Sequence, residues 1–289
     1  MILRFEPPGR REKSFLFAIG MVVFSLGLIV TPAPAHGQRK TVKPTKAALN
    51  AALLRVAEKN RTGDVKTLLA RGANPNVKGP LGYTPIMLLA LQPKVDAATI
   101  QALQKAGGNI DAVDNAGMTA LMHACTNGSE AGARVLLAQG AKPNIADANG
   151  TTALLITAEK GGEAITSQLL AHGAEVNLQN RSGQTALFLT TVAPAGHFAI
   201  TRKYYLMRVH VMQMLLAKGA DVNLKAGNGM TPLMMAASNE NAEMVEELLK
   251  KHADVTARDP RGMTALKLAM QHKSSEAIVQ KLKQAGATE

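Results

Sequence analysis

Seven consecutive residues decide the fold: Thr231-Pro232-Leu233-Met234-Met235-Ala236-Ala237. They begin with a signature, Thr followed by Ala or Pro and then by Leu or Ile, that occurs six times, at intervals of 35, 33, 33, 46 and 33 residues. A recurring period of this size is typical of a stack of small structural units rather than of one globular core. The copies begin at Thr84, Thr119, Thr152, Thr185, Thr231 and Thr264, shortly after Gly82, Gly117, Gly150, Gly183, Gly229 and Gly262.

Each copy predicts a pair of helices. The Thr hydroxyl can accept a hydrogen bond from the first turn of a helix, and Pro is tolerated at the first helical position, so we expect Thr231 to cap the first helix. An apolar stripe with helical spacing runs from Met244 to Leu249 and predicts an amphipathic second helix. That helix should end at a Gly followed by Ala, because Gly readily adopts the left-handed conformation. Such pairs occur at Gly72-Ala73, Gly140-Ala141, Gly173-Ala174 and Gly219-Ala220, and His252 takes the place of Gly once.

A tight turn, here called a finger, is predicted between one helix pair and the next. An Asp or Asn at the first turn position and a Gly at the fourth favour such a turn. This spacing occurs at residues 114–117, 147–150, 180–183 and 259–262.

Together these features resemble the ankyrin repeat family, whose pattern combines a Thr-Pro-Leu-His start, a Gly-Ala-Asp-x-Asn stretch and a finger turn. The stretch is complete at Gly219 to Asn223 and looser around Asn76, Asn144 and Asn177. The resemblance implies an all-α ankyrin-repeat solenoid of helix-turn-helix units with finger turns, about seven repeats long, spanning residues 47–289. The first repeat, at about 47–80, has only the second half of the pattern and is predicted to be a capping repeat.

One departure from the family pattern recurs. The family's His after Thr-Pro-Leu is absent from all six copies. In the family this His forms hydrogen bonds within and between repeats, so the resemblance implies that those polar links are absent and that apolar contacts stabilise the stack. The replacing residues are Met87, Met122, Leu155, Phe188, Met234 and Lys267.

The first 35 residues have the order of a secretory signal peptide. Four bases precede the apolar run Phe15–Val30, and Ala33-Pro34-Ala35 follows. We expect cleavage after Ala35 and a periplasmic or secreted protein whose residues 36–46 form a basic linker. The alternative is a membrane anchor formed by residues 15–30. A third interpretation is an effector released into a host cell. It agrees with every sequence feature except the strong leader.

Composition and motifs narrow the classes of function. Residues 36–289 hold 29 Lys and Arg against 19 Asp and Glu, a net charge of +10 that favours an anionic partner such as an acidic protein. No nucleic-acid recognition motif, metalloprotease motif, nucleophile elbow or phosphate-binding loop occurs, so we predict no enzyme, no cofactor, no metal and no nucleic acid. The one cysteine, Cys125, aligns with Ala90, Ala158 and Ala237 and is interpreted as a buried, inert thiol. We expect a monomer.

The interval after Thr185 is the feature most specific to this chain. It exceeds the 33-residue period by 13 residues, which align at 194–206. Insertions in repeat proteins map to loops, often on the binding face. The helical spacing of Ile200, Tyr204, Met207 and Val211 predicts that the second helix of this repeat starts early and protrudes.

Candidate contact residues follow from the insert and from the first helices, which line the concave face in ankyrin stacks. Aromatic and Arg side chains are enriched at binding hot spots, and Met adapts to varied partner shapes. In the insert, Tyr205, Arg202 and Lys203 should face away from the buried stripe, whereas Phe198 and Tyr204 have an equally good interpretation as packing against the next repeat. The predicted partner-binding set is Phe198, Arg202, Lys203, Tyr204, Tyr205, Met87, Met122, Met234 and Met235.

The sequence therefore predicts a non-enzymatic protein-binding scaffold that acts in the periplasm or outside the cell. The alternative is a membrane- or wall-associated structural module held by an uncleaved N-terminal anchor and the basic segment 36–46.

The leader yields a direct prediction. When the full chain is expressed in a bacterium with an envelope, N-terminal sequencing of the purified protein should begin at His36, because the small side chains of Ala33 and Ala35 fit the export peptidase. A chain that keeps Met1 and sediments with the membrane fraction would instead establish the anchor.

Overall fold

The computed structural model describes residues 43–192, 202–271 and 276–288. From Pro44 onward these ranges belong to the compact unit Pro44–Glu289, and they contain fourteen α-helices and no β-strand. The predicted signal peptide, linker residues 36–42 and insert residues 194–201 lie outside them. The helices form seven pairs, α1 (Lys46–Glu58) with α2 (Thr62–Ala70), α3 (Pro85–Ala90) with α4 (Ala97–Lys105), α5 (Ala120–Thr126) with α6 (Glu130–Ala138), α7 (Ala153–Lys160) with α8 (Glu163–Ala171), α9 (Ala186–Thr191) with α10 (Arg202–Ala217), α11 (Pro232–Ser238) with α12 (Ala242–Lys250), and α13 (Ala265–Gln271) with α14 (Glu276–Gln284).

The six recurring Thr residues all cap first helices, as predicted. Each Thr is at most 2% exposed, and its hydroxyl oxygen accepts from the backbone N–H three residues later at 3.1–3.4 Å. The cap satisfies a backbone donor that would otherwise be buried without a partner. The capping repeat has the same device, because Thr45 accepts from Ala48 N at 3.2 Å and α1 begins at Lys46, within the segment predicted as linker.

Three methionines replace part of the family's histidine link. The backbone N–H groups of Thr84, Thr119 and Thr231 donate to the sulfur atoms of the Met three residues later, at 3.4, 3.5 and 3.5 Å. A thioether is a weak acceptor, so this bond is weaker than one to an imidazole. The expectation that polar links are absent from the helix starts is therefore corrected, because in these three repeats sulfur closes the capping box.

Each repeat packs on its neighbours through both helices. First helices contact first helices, and second helices contact second helices, along the whole series. The largest fully buried side chains include Leu53, Ile100, Leu136 and Phe188, which lie in four different repeats. The apolar core is therefore continuous from repeat to repeat, because one helix pair alone cannot cover its own apolar surface.

Asparagine side chains connect the end of one repeat to the next. Asn177 donates through Nδ2 to Gly219 O at 3.3 Å and accepts from Asp221 N through Oδ1 at 2.8 Å. Asn76 and Asn144 make the same pair of bonds to their next repeats. These bonds satisfy backbone groups where the second helices end. They give the physical reason for the Asn that the sequence pattern singled out.

The fingers are joined by backbone hydrogen bonds between successive tips. Asn115 N donates to Leu81 O, Ala148 N to Ala116 O, Arg181 N to Asn149 O and Gly227 N to Ser182 O, at 2.7–3.5 Å. The series ends at the last finger, where Pro260 stands at the donor position and has no N–H. Five of the six fingers thus form one hydrogen-bonded row.

A comparison of alanine substitutions at two glycines distinguishes the cost of backbone strain from the cost of disturbing the contact between fingers. Gly173 and Gly183 both have positive φ, 82° and 69°, but a Cβ on Gly173 would meet open space, whereas one on Gly183 would lie 2.6 Å from Gly227 N. We expect Gly173→Ala to lower the free energy of unfolding by about 1–2 kcal/mol through strain alone. Gly183→Ala should lower it by roughly 1–3 kcal/mol more, because adjacent fingers must also separate.

Urea unfolding followed by circular dichroism measures both values. Equal losses in the two variants would show that contact between the fingers contributes little to stability.

Candidate binding surface

Helix α10 is the one clear irregularity among the described second helices. It has 16 residues, whereas each of α2, α4, α6, α8, α12 and α14 has nine. Measured from the Gly-Ala pair that follows α8 and α10, the additional residues are at the N-terminal end. Seven residues add about 10 Å of helix, so α10 extends past its neighbours on the side opposite the fingers. The prediction that this helix starts early is confirmed.

The extension packs backward onto the preceding repeat. The Tyr204 hydroxyl donates to Glu159 O at 3.0 Å, in the last turn of α7. The buried guanidinium of Arg208 donates to Leu189 O in α9 and lies 5.8 Å from the centre of the Tyr204 ring. Gly161, which ends α7, makes room for this packing, because a Cβ there would lie 3.1 Å from Arg208 Cγ. The sequence predicted that Tyr204 packs against the following repeat, whereas its hydroxyl bonds to the preceding one.

Arg208 is an unusual buried residue that sequence reasoning missed. It is 5% exposed, and its Nε atom has no hydrogen-bond partner among the residues that the structure describes. Burial lowers its pKa. The carbonyl of Leu189 and the Tyr204 ring face compensate part of the desolvation. A basic residue at the seventh position of a lengthened helix carries no sequence signal that distinguishes it from a surface arginine.

Tyr205 packs forward, contrary to the prediction that it faces away from the buried stripe. It is partly buried against the core, and its hydroxyl lies close to the backbone of Glu243 and Met244 in α12. Burial, with a smaller contribution from the Glu243 carboxylate, raises the pKa of Tyr205 to about 12. The side chain therefore joins two repeats instead of forming a free contact.

Arg202 and Lys203 remain as the exposed part of the extension. They lie in the first turn of α10, which Tyr204 holds from one side and Tyr205 from the other. Phe198, the remaining predicted contact in this segment, lies outside the described residues. The insert thus presents two bases on a helix end that is fixed by its own aromatic residues.

The methionines of the first helices lie in the core rather than on a contact surface. Met87, Met122 and Met234 are each 1% exposed, because their side chains turn back to the capping Thr. Met235 differs, since it is only partly buried. Of the four predicted methionine contacts, Met235 alone is accessible in the free protein.

A buried polar cluster in the third repeat was also missed. His123 Nε2 and Asp114 Oδ2 lie 2.8 Å apart, and the rings of His123 and Tyr83 meet edge to face at 4.9 Å. Both partners of the pair are at least nine-tenths buried. The pair connects a finger to the first helix that follows it. Cys125 in the same helix is 1% exposed, and burial raises the pKa of its thiol to about 12, as expected for an inert core residue.

No group of three or more His, Cys, Asp or Glu side chains is arranged to hold a metal ion within residues 43–192, 202–271 and 276–288. In those same ranges no helix is both long and apolar enough to cross a bilayer.

Comparison with protein-family models gives matches along most of the chain. A model described as ankyrin repeats, in three copies, matches residues 53–147 and 197–288, and a model of a single ankyrin repeat matches residues 149–181. The matched residues make up more than half of the 289 residues and agree with the period read from the recurring Thr.

The forward packing of Tyr205 predicts a pH dependence. A phenol that keeps its proton to about pH 12 when folded, against 10.0 when unfolded, contributes stability that is complete below pH 10 and is lost as the pH rises toward 12. The free energy of unfolding should therefore fall more between about pH 9 and about pH 11 in the wild type than in Tyr205→Phe. Urea unfolding at the two pH values measures the difference.

Tyrosinate absorbance gives an independent check. The step with the highest midpoint should disappear in Tyr205→Phe and persist in Tyr83→Phe. Identical titration curves for the wild type and Tyr205→Phe would contradict the packing of Tyr205 between repeats.

Proposed function

The chain belongs to the ankyrin repeat family, and from this premise we propose that it is a non-enzymatic scaffold that binds another protein in the periplasm or outside the cell. Ankyrin repeats typically mediate binding between proteins. The observation that carries the proposal is the lengthened helix α10, whose exposed first turn presents Arg202 and Lys203. This extension is the largest departure from an otherwise regular series.

The N-terminal extension of α10 is preorganised for binding, because contacts with the neighbouring helices fix its conformation in the free protein. Tyr204 bonds to α7, Tyr205 packs against α12, and Arg208 bonds to α9. A contact surface that is ordered before binding loses less conformational entropy when the partner docks. Two bases on a fixed helix end also select for negative charge in the partner, which agrees with the net charge of +10 in residues 36–289.

Action outside the cytoplasm is supported by the leader sequence, in which Phe15–Val30 and Ala33-Pro34-Ala35 have the order of a cleavable signal. An exported domain with a single, buried cysteine obtains its stability from packing instead of disulfides. The partner is accordingly an exported or surface protein, and the scaffold acts as a monomer.

The alternative function is a structural module at the envelope. The apolar run Phe15–Val30 and the bases of residues 36–46 favour it, since together they could hold the chain at an anionic surface. Such an association is dominated by charge and should be lost at a few hundred millimolar salt, whereas a packed protein interface should largely persist.

The test of the proposal is a cross-linked capture from an envelope fraction with point variants of α10. Deleting residues 194–206 would remove Tyr204 and Tyr205, which hold neighbouring repeats together, so a deletion cannot separate binding from folding. Arg202→Glu with Lys203→Glu changes only exposed side chains. We expect this double variant to lose a protein that the wild type retains.

The matched control places the same two charge reversals elsewhere. Lys105→Glu with Lys218→Glu alters one exposed residue at the end of α4 and one directly after α10, and it should retain the protein. Equal loss in both variants would indicate attraction by net charge alone. Recovery of lipid or wall polymer without a protein would replace the scaffold with the structural module.

A further inference from the structure

Four segments of the chain have the sequence Asn-x-Ser or Asn-x-Thr, at which exported proteins receive N-linked glycans. They begin at Asn60, Asn127, Asn149 and Asn180. The sequence alone does not rank them, because so short a motif also occurs by chance. The structure does rank them, since a folded chain can be modified only where the Asn amide and the hydroxyl two residues later are both accessible.

Two of the four amides are used within the fold. Asn60 is partly buried, and its Nδ2 atom donates to Lys94 O in the next repeat at 3.1 Å. Asn180 donates through Nδ2 to Gln184 Oε1 at 3.0 Å, and its Oδ1 atom accepts from the backbone N–H groups of Ser182 and Gln184 at 3.0 Å. A glycan on either amide would compete with these bonds.

The third candidate, Asn127, has an exposed side chain directly after α5, but the hydroxyl of its motif is engaged. Ser129 is the N-cap of α6, and its Oγ atom accepts from Gly132 N at 3.1 Å. Ser129 is also partly buried, and a Cβ on Gly132 would lie 2.7 Å from Ser129 Oγ. Helix packing therefore leaves little room around this hydroxyl.

Asn149 has both groups accessible. It lies in the third finger, where Ala146 and Thr152 form an antiparallel bridge that closes the loop. Its backbone N–H donates to Asp147 Oδ1 at 2.8 Å, but its side chain is exposed and forms no hydrogen bond with any residue of the described ranges. The partly exposed Thr151 also has a hydroxyl without a bond to a described residue. The finger thus presents a fixed backbone with a free amide and a free hydroxyl.

We propose that Asn149 is a glycosylation site that receives an oligosaccharide from a polyisoprenyl diphosphate donor after export. The inference rests on the proposed function, because it requires the chain to leave the cytoplasm. In the reaction a bond forms between Asn149 Nδ2 and the anomeric carbon of the sugar, and the bond from that carbon to the diphosphate oxygen breaks. The lipid diphosphate leaves with the electron pair, and a base of the transferase takes up one amide proton.

A glycan on Asn149 would lie in the middle of the finger row. Asn149 O accepts from Arg181 N at 2.8 Å, so the sugar would start next to the fourth finger. N-linked glycans are bulky and solubilising, and this one would cover neighbouring finger tips. The start of α10 lies at the other end of the first helices, so Arg202 and Lys203 would stay open to a partner.

The experiment incubates the folded, full-length protein with a polyprenyl diphosphate-linked oligosaccharide of N-acetylglucosamine and mannose. The enzyme is a single-subunit oligosaccharyltransferase that requires only the Asn-x-Ser/Thr sequence. Peptide mapping by mass spectrometry locates and quantifies the modification. We expect Asn149 to be modified about tenfold more than Asn60, Asn127 or Asn180, because the other three sites require an existing hydrogen bond to be displaced.

Four synthetic peptides, each with one of the motifs and its flanking residues, are the control for intrinsic reactivity. All four peptides should be modified, since none of them has the contacts of the fold. Selectivity that is present only in the folded protein then comes from the structure. Equal modification of the four sites in the folded protein would overturn the proposal, and so would the absence of a glycan from Asn149.

Variants of two fingers test the hydroxyl with residues that the chain already uses at this position. Thr151→Met copies Met118 of the second finger and should abolish modification of Asn149. Met230→Thr completes the motif in the fifth finger, where Asn228 is exposed at the position equivalent to Asn149, and should add a second glycan there. Circular dichroism checks that both variants fold. Modification of Asn149 in the first variant, or none of Asn228 in the second, would contradict the assignment.

The result is separable from the test of the proposed function. If Asn149 stays unmodified while Arg202 and Lys203 still determine the capture of a protein, the glycosylation site is wrong and the scaffold function stands. Modification in vitro of a chain that keeps Met1 and stays in the cytoplasm of the expressing cell would instead overturn the export on which both proposals depend.

Discussion

Hydrogen bonding between consecutive repeats is the constraint on which the rest of the structure depends. Each second helix ends in backbone groups that its own repeat cannot satisfy, and Asn177 shows the solution, since it bonds to Gly219 O and Asp221 N of the next repeat at 3.3 and 2.8 Å. The finger tips are joined in the same way between consecutive repeats, because a backbone N–H of each later finger donates to a carbonyl oxygen of the finger before it. Because these bonds are all at the finger side of the stack, they fix the spacing of the repeats there. The opposite side, where the two helices of a repeat connect, has scattered bonds between repeats, such as Gln92 Nε2 to Glu58 O at 3.1 Å and Asn239 Nδ2 to Thr191 O at 2.9 Å, but in the described part of the chain they do not repeat from unit to unit. This side can therefore accept additional residues.

The lengthened helix α10 is possible because the finger side and the connecting side of the stack are held differently. The bonds of Asn177 span 42 and 44 residues along the chain, yet they have the geometry of the bonds that Asn144 makes across 29 and 31 residues. The seven additional residues of α10 therefore lengthen the stack at the connecting side, without a change in the register of the fingers. Tyr204 and Tyr205 then attach the extension to the repeats before and after it. An insertion placed this way alters the surface of the stack while its core and its finger row stay regular.

The sequence predicted the elements that depend on one repeat and failed for those that depend on several. The caps at Thr84 to Thr264, the finger turns and the early start of α10 are local, and all three were predicted correctly. The face of Tyr205 was wrong because a single apolar stripe assumes one buried side, whereas α10 is flanked by α7 and α8 on one side and by α12 on the other. The burial of Met87, and the pairing of His123 with Asp114, depend on how a side chain turns toward a cap or a finger. A repeat period gives no information on that choice.

The fingers and the exposed start of α10 lie at opposite ends of the first helices, because each first helix begins directly after its finger and runs to the connecting side. The first helices of the middle repeats have six to eight residues, about 9–12 Å, which sets the distance between the fingers and Arg202. Over this distance the first helices present partly buried apolar residues, among them Leu88, Ile156 and Met235. A partner that docks on the start of α10 and extends along the first helices would therefore meet two bases first and apolar side chains after them.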